Sequence, residues 1–197
     1  MSLIVLIGAQ AVGKMTVGRE LEKQLDGKLL YNHQTIDLFA NFLGYTPTTF
    51  QLSDDLRKMI FHAFVANLEI NPIKHMIFTV MIDFSSVDDL AFLSDIASIF
   101  SDAGESVYFI ELVADIAKRR ERNRHRHSER LAAKPSKRDL AFSMQDLEDS
   151  VVKYQLESLA YQLAEHFPDV QTLKINNTEL SPEMTVKQVL QVFPSLK

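Results

Sequence analysis

A three-layer α/β/α fold around a mostly parallel, five-stranded sheet is what this 197-residue sequence predicts. Three observations carry the prediction. Five short apolar runs recur along the chain. The stretches between them repeat apolar residues at helical spacing. The first run then meets its helix through Gly8, Gly13 and Lys14, in the spacing G-x-x-x-x-G-K. Strands that alternate with helices cross over and lie parallel, with helices covering the sheet.

The first run, residues 3–7, is Leu-Ile-Val-Leu-Ile, which suits a strand buried on both faces. The helix after it runs from Gly13 to about Leu25, with Val17, Leu21 and Leu25 on one side. Asp26-Gly27 turns the chain into a short second strand, 28–31, and Asn32, His33 and Gln34 stand just past its end. An irregular stretch with Gly44 and Pro47 follows. A helix then covers about 54–68, with Leu56, Ile60, Phe64 and Leu68 at i, i+4 spacing. Residues 76–82 form the third strand, which ends at Asp83. Ser86 and Asp88 are candidate N-caps of a helix that reaches about Ser101. The fourth strand is 106–113. A basic segment follows it, helical at first and broken near Pro135. Val152, Leu156, Leu159 and Leu163 mark a long helix. Residues 170–175 form the fifth strand, and Pro182 opens the last helix at its first turn.

Composition bounds the function classes. The length suits one domain, 1–197, with a sizeable core. Hydrophobic residues make up 46% and charged residues 24%, as in ordinary globular chains. No apolar run approaches the roughly 18 residues that would span a bilayer, so no membrane partner is expected. Without Cys there is no disulfide framework and no thiolate metal site, and the cytoplasm is the expected compartment. Net charge is −5, but residues 118–138 hold ten Lys or Arg against two Glu. Positive charge gathered in one segment of an acidic chain points to a local anion site. The segment lacks interleaved aromatics, and nucleic acid is not expected as a partner.

The strand–glycine–helix junction carries the sharpest chemistry. Glycines let the backbone fold tightly, so that successive N–H groups face phosphate oxygens. The helix N-terminus adds partial positive charge, and Lys14 adds a full one. Gly8, Ala11, Val12, Gly13, Lys14, Met15 and Thr16 are therefore expected to hold the phosphates of ATP. One position departs from the pattern. Met15 stands where a Ser or Thr hydroxyl usually meets Mg²⁺, and a thioether is a poor ligand for a hard cation. Thr16 points roughly 100° further round the helix and does not simply replace it. Mg²⁺ is then expected to be held by water and other residues.

Ligands bind such sheets at the carboxyl ends of the strands. There stand the loop after strand one, Asn32, His33 and Asp37 after strand two, and Asp83 after strand three. The basic segment follows strand four, and Asn176, Asn177 and Thr178 follow strand five. With these in place the chain resembles the small P-loop kinases: shikimate kinase, gluconate kinase, the nucleoside monophosphate kinases and relatives labelled AAA-family ATPases. The resemblance spans nearly the whole length. It rests on the stretch from Gly8 to Gly18, the strand ending in Asp83, the Arg-rich segment, and the tail Leu-Lys-Ile-Asn-Asn-Thr-Glu-Leu-Ser-Pro-Glu from Leu173.

The resemblance implies a P-loop nucleoside triphosphate hydrolase fold and transfer of the ATP γ-phosphoryl group to a small-molecule acceptor. It implies an acceptor-binding helical region at about 36–70 and a mobile Arg-rich lid over ATP at about 122–140. Asp83 would anchor hydrated Mg²⁺, and Asn176 and Thr178 would sit in the adenine-side loop. Arg119, Arg120, Arg122, Arg124, Arg126, Arg130 and Arg138 are the lid candidates, with Arg120, Arg124 and Arg130 foremost in neutralising the transferred group. His33, Asp37 or Asp83 would orient the acceptor hydroxyl. Shikimate kinases carry Asp-x-Asp where this chain has Tyr31-Asn32-His33, which argues against shikimate itself. A second reading is a nucleotide-binding ATPase or switch module with little transfer activity, and Met15 favours it.

Overall fold

The computed structural model describes residues 1–125 and 139–197. Five strands form one sheet: β1 (Ser2–Ile7), β2 (Gly27–Tyr31), β3 (His75–Val80), β4 (Ser106–Val113) and β5 (Gln171–Asn176). Their order is β2-β3-β1-β4-β5, and every neighbouring pair is parallel. The mostly parallel sheet of the sequence reading is wholly parallel here. β1 lies at the centre, with Ile7 in register with Val80 on one side and Glu111 on the other. The loop that leaves β1 thus starts between two neighbouring strand ends.

The central strand shows why both faces must be covered. Leu3, Val5 and Ile7 pack into one core with Phe61, Phe78, Leu93 and Phe100. Ile4 and Leu6, one residue out of phase, enter the other with Val17, Leu21, Val186 and Val189. Helices α1 (Lys14–Gln24) and α8 (Pro182–Val192) contribute to the second core; α3 (Pro47–Val65) and α4 (Val87–Ser101) contribute to the first. Gly18 packs against the Leu29 side chain, which brings α1 close to β2.

Two stretches differ from the sequence reading. The irregular segment around Gly44 and Pro47 is a junction between helices: α2 (His33–Leu43) ends on Gly44 at φ 68°, and Pro47 opens α3 behind Thr46. Thr46 Oγ1 accepts from Thr49 N at 3.3 Å, an ordinary N-cap. Both residues punctuate helices, so α3 begins seven residues earlier than the apolar spacing alone suggests.

The long helix through Val152, Leu156, Leu159 and Leu163 is two pieces. α5 (Ile116–Arg124) precedes the undescribed residues, and α6 (Leu140–Lys153) and the short α7 (Gln162–His166) follow them. Tyr154 is extended, and the backbone between α6 and α7 bonds to the turn after β3 and to β4. Gln155 N donates to Asp83 Oδ1 at 3.0 Å, and Ser158 N donates to Glu111 Oε1 at 2.9 Å. Leu156 and Leu163 are buried in opposite cores, while Val152 and Leu159 are exposed. Their regular spacing is therefore not a shared face. Among the described residues, no helix is long and apolar enough to cross a membrane.

Candidate functional site: the loop between the first strand and first helix

The loop after β1 turns on three left-handed residues, Gly8 (φ 149°), Ala11 (φ 65°) and Gly13 (φ 103°). Gly8 has a second constraint, because a Cβ there would collide with the Leu112 carbonyl oxygen of β4. The first intrahelical bond of α1 runs from Val17 N to Gly13 O at 2.9 Å, and no side chain caps the helix. The N–H groups ahead of Val17 thus have no intrahelical acceptor. Lys14 Nζ donates to the carbonyl oxygens of Gly8 and Ala9, the latter at 2.9 Å, which holds its ammonium over the loop.

Two arginines and an asparagine brace this loop from outside. Arg119 Nε donates to Gln10 O at 2.8 Å. Arg122 donates to Val12 O at 3.0 Å, to Asn177 Oδ1 at 3.2 Å and to Asn177 O at 2.7 Å. Asn177 Nδ2 donates to Val12 O at 2.9 Å. Gln10 in turn donates to Ser143 O of α6 at 3.0 Å. Burial lowers the pKa of both Arg119 and Arg122. α5, α6 and the β5 loop thereby fix the curvature of a loop whose own sequence is short and apolar.

A cleft of about 1430 Å³ opens over this loop. Ala11, Val12, Gly13, Lys14, Met15 and Thr16 line it, together with Arg122 and Asn177. It continues to the ends of β2 and β3, where Asn32, His33, Ile36, Tyr45, Phe50, Thr79 and Met81 face it. His33 Nδ1 lies 3.2 Å from Asp37 Oδ1, and the Tyr45 hydroxyl donates to the same oxygen at 2.9 Å. Asn32 N donates to Thr79 Oγ1 at 3.1 Å, which ties the start of α2 to β3.

Several expected site residues stand elsewhere. Asp83 does not line the cleft. Its Oδ1 accepts from Ser85 N at 2.9 Å, Ser85 Oγ at 2.6 Å and Gln155 N at 3.0 Å. The Ser85 hydroxyl is the main cause of its lowered pKa. The carboxylate shapes a turn and anchors the segment after α6, because β3 stops at Val80 and leaves Asp83 three residues beyond the strand. Arg120 makes a two-pronged ion pair with Glu148 of α6, at 2.6 and 2.7 Å, and is not a cleft residue. Arg124, exposed at the end of α5, does not line the cleft either. Thr178 Oγ1 accepts from Asp115 N at 3.0 Å and donates to Asn176 Oδ1 at 2.7 Å. Asn176 ends β5 and Thr178 belongs to the turn after it, and Asn177 between them is the residue that lines the site. Arg126, Arg130 and Arg138, and most of the lid expected at about 122–140, lie outside the described residues.

The described residues do not fit a directly ligated Mg²⁺. Met15 stands where a hydroxyl residue usually does and packs partly against the core, and Asp83 bonds within its own turn. Among the described residues, no group of three or more His, Asp or Glu is placed to hold a metal.

Gln10, Tyr45, Thr79 and Glu111 are structural partners that sequence reasoning missed. Glu111 lies within an apolar strand and is 1% exposed, paired with Ser158. A charge inside an otherwise apolar run was the available signal.

The sheet order, the left-handed loop and the lysine at the helix start define a P-loop fold. No protein-family model matches the sequence, and no curated protein matches it. Solved structures do match in fold. A protein from Chloroflexus aurantiacus, provisionally described as a kinase, is 18% identical with a TM-score of 0.61, over 100% of this chain and 97% of that one. A gluconokinase from Sinorhizobium meliloti is 15% identical with a TM-score of 0.56, over 99% and 93%. The shikimate kinase of Acinetobacter baumannii, in complex with shikimate, is 14% identical with a TM-score of 0.51, over 99% and 94%.

Proposed function

We propose that this chain is an ATP-dependent phosphotransferase acting on a small-molecule acceptor. The observation that carries the reading is the uncapped N-terminus of α1, with Lys14 and a left-handed loop, opening into a cleft that runs on to His33. The loop end suits a triphosphate: backbone donors, a helix dipole and an ammonium group converge on one place. The fold likeness to proteins named as kinases supports the same class.

In this reading the acceptor hydroxyl oxygen attacks the γ-phosphorus in line with the departing ADP oxygen. The new O–P bond forms as the bond to ADP breaks. Lys14 and the loop N–H groups hold the phosphates and stabilise charge on the transferred group. His33 accepts the hydroxyl proton, and Asp37 orients its ring from the far side. Arg119, Arg122 and Asn177 act by holding the loop. The cytoplasm is the proposed compartment.

Calorimetric titration with a non-hydrolysable ATP analogue tests the foundation. Lys14→Ala should weaken binding by about 100-fold with the circular dichroism unchanged. Unchanged affinity in the folded variant would remove the reading.

Met15 and the turned-away Asp83 favour a second reading, a nucleotide-binding ATPase or switch module with little transfer. ATP consumption that no hydroxylated acceptor accelerates would select it.

A further inference from the structure

The far end of the cleft has a consistent chemical character. Among the described residues, two buried acceptors here have no hydrogen-bond partner: Asn32 Oδ1, on a residue that lines the cleft, and Asp37 Oδ2, on a residue behind the lining side chains of His33 and Tyr45. The other Asp37 oxygen accepts from the Tyr45 hydroxyl at 2.9 Å and lies 3.2 Å from His33 Nδ1. A buried acceptor left unpaired is costly, so a ligand that brings donors is favoured there.

The arginine packed against this end is committed elsewhere. Arg57 is 4% exposed and does not line the cleft. Its Nε donates to Thr35 Oγ1 at 2.8 Å, one terminal nitrogen donates to Asn32 O at 2.9 Å, and the other pairs with Asp54. Its guanidinium fixes the start of α2 on α3 and offers nothing to a bound anion. The walls are apolar, from Ile36, Phe50 and Met81, with the Tyr45 ring beside them.

We propose that the acceptor is a neutral or cationic alcohol with an apolar body. It carries N–H or O–H donors toward Asn32 and has no carboxylate or phosphate at that end, where the Asp37 carboxylate lies behind His33 and Tyr45. The inference rests on the phosphotransferase reading and narrows its substrate class. A carboxylate brings only acceptors, and Asp37 would repel it. An amine or hydroxyl supplies the donors that the site lacks.

Three matched cyclohexanediols test this, carrying an aminomethyl, a hydroxymethyl or a carboxylate substituent. Each is titrated calorimetrically into the full chain saturated with a non-hydrolysable ATP analogue. The aminomethyl and hydroxymethyl probes should bind roughly tenfold tighter than the carboxylate probe. Asp37→Asn, which removes the negative charge, should narrow the gap between the aminomethyl and carboxylate probes. The ranking in the unaltered chain stands as a test even where that variant fails to fold. A carboxylate probe that binds as tightly as the others overturns the proposal. Silence from all three at millimolar concentration does so too. Failure of the analogue itself to bind strikes the phosphotransferase reading instead.

Discussion

The two ends of the cleft are built in different ways. The phosphate end is made by consecutive residues, Gly8 to Thr16, and its working groups are backbone N–H groups and one lysine. The far end is made by side chains from three elements: Asn32, His33 and Asp37 at the start of α2, Tyr45 in the α2–α3 link, and Thr79 on β3. A backbone cradle needs only a local conformation, which a few glycines and one helix start specify. A side-chain cradle needs several elements to be packed first. The phosphate end is accordingly legible as a motif. At the far end only Asn32, His33 and Asp37 are legible, as polar residues past a strand end, and Tyr45 and Thr79 join them only in the assembled fold.

The comparison can be broken most severely at Gly8. Gly8→Ala sets a methyl group against the Leu112 carbonyl and forces a left-handed φ on alanine. It should cost more than about 3 kcal/mol of stability in chemical denaturation. Wild-type stability would mean that the loop does not press on β4.

Asn177→Ala asks whether the loop holds its shape alone. It removes the bond to Val12 O and one contact of Arg122. The expected result is about 1–3 kcal/mol of lost stability and roughly tenfold weaker ATP binding. Full affinity would show a loop shaped by its own residues.

Met15→Ser sharpens the metal question at the same end. Nucleotide affinity is measured with Mg²⁺ and with chelator, for both proteins. The Mg²⁺ enhancement should rise in the variant, which regains a hard oxygen donor. An unchanged ratio would mean that the ion, where present, does not approach this helix turn.

The smallest effect belongs to Arg120→Ala. Its partner Glu148 is also at the surface, and exposed ion pairs contribute little. Both ATP affinity and Tm should stay close to wild type. A large loss of affinity would return Arg120 to the catalytic group.

The sequence by itself determined the sheet, the fourth strand at 106–113, the cap at Ser86, the last helix's start at Pro182, and the loop residues from Gly8 to Lys14. These features depend on nearest neighbours: apolar runs, capping hydroxyls, and glycine at left-handed positions. The tertiary structure alone decided where long side chains point. Arg120 goes to Glu148, Arg122 goes to Val12 and Asn177, and Arg57 goes to Asp54 and the start of α2. It also set Asp83 against Ser85 and Gln155, and broke the apparent helix at Tyr154. An arginine in a sequence advertises a charge and a reach. Which acceptor it meets depends on the strands and helices that packing brings within that reach.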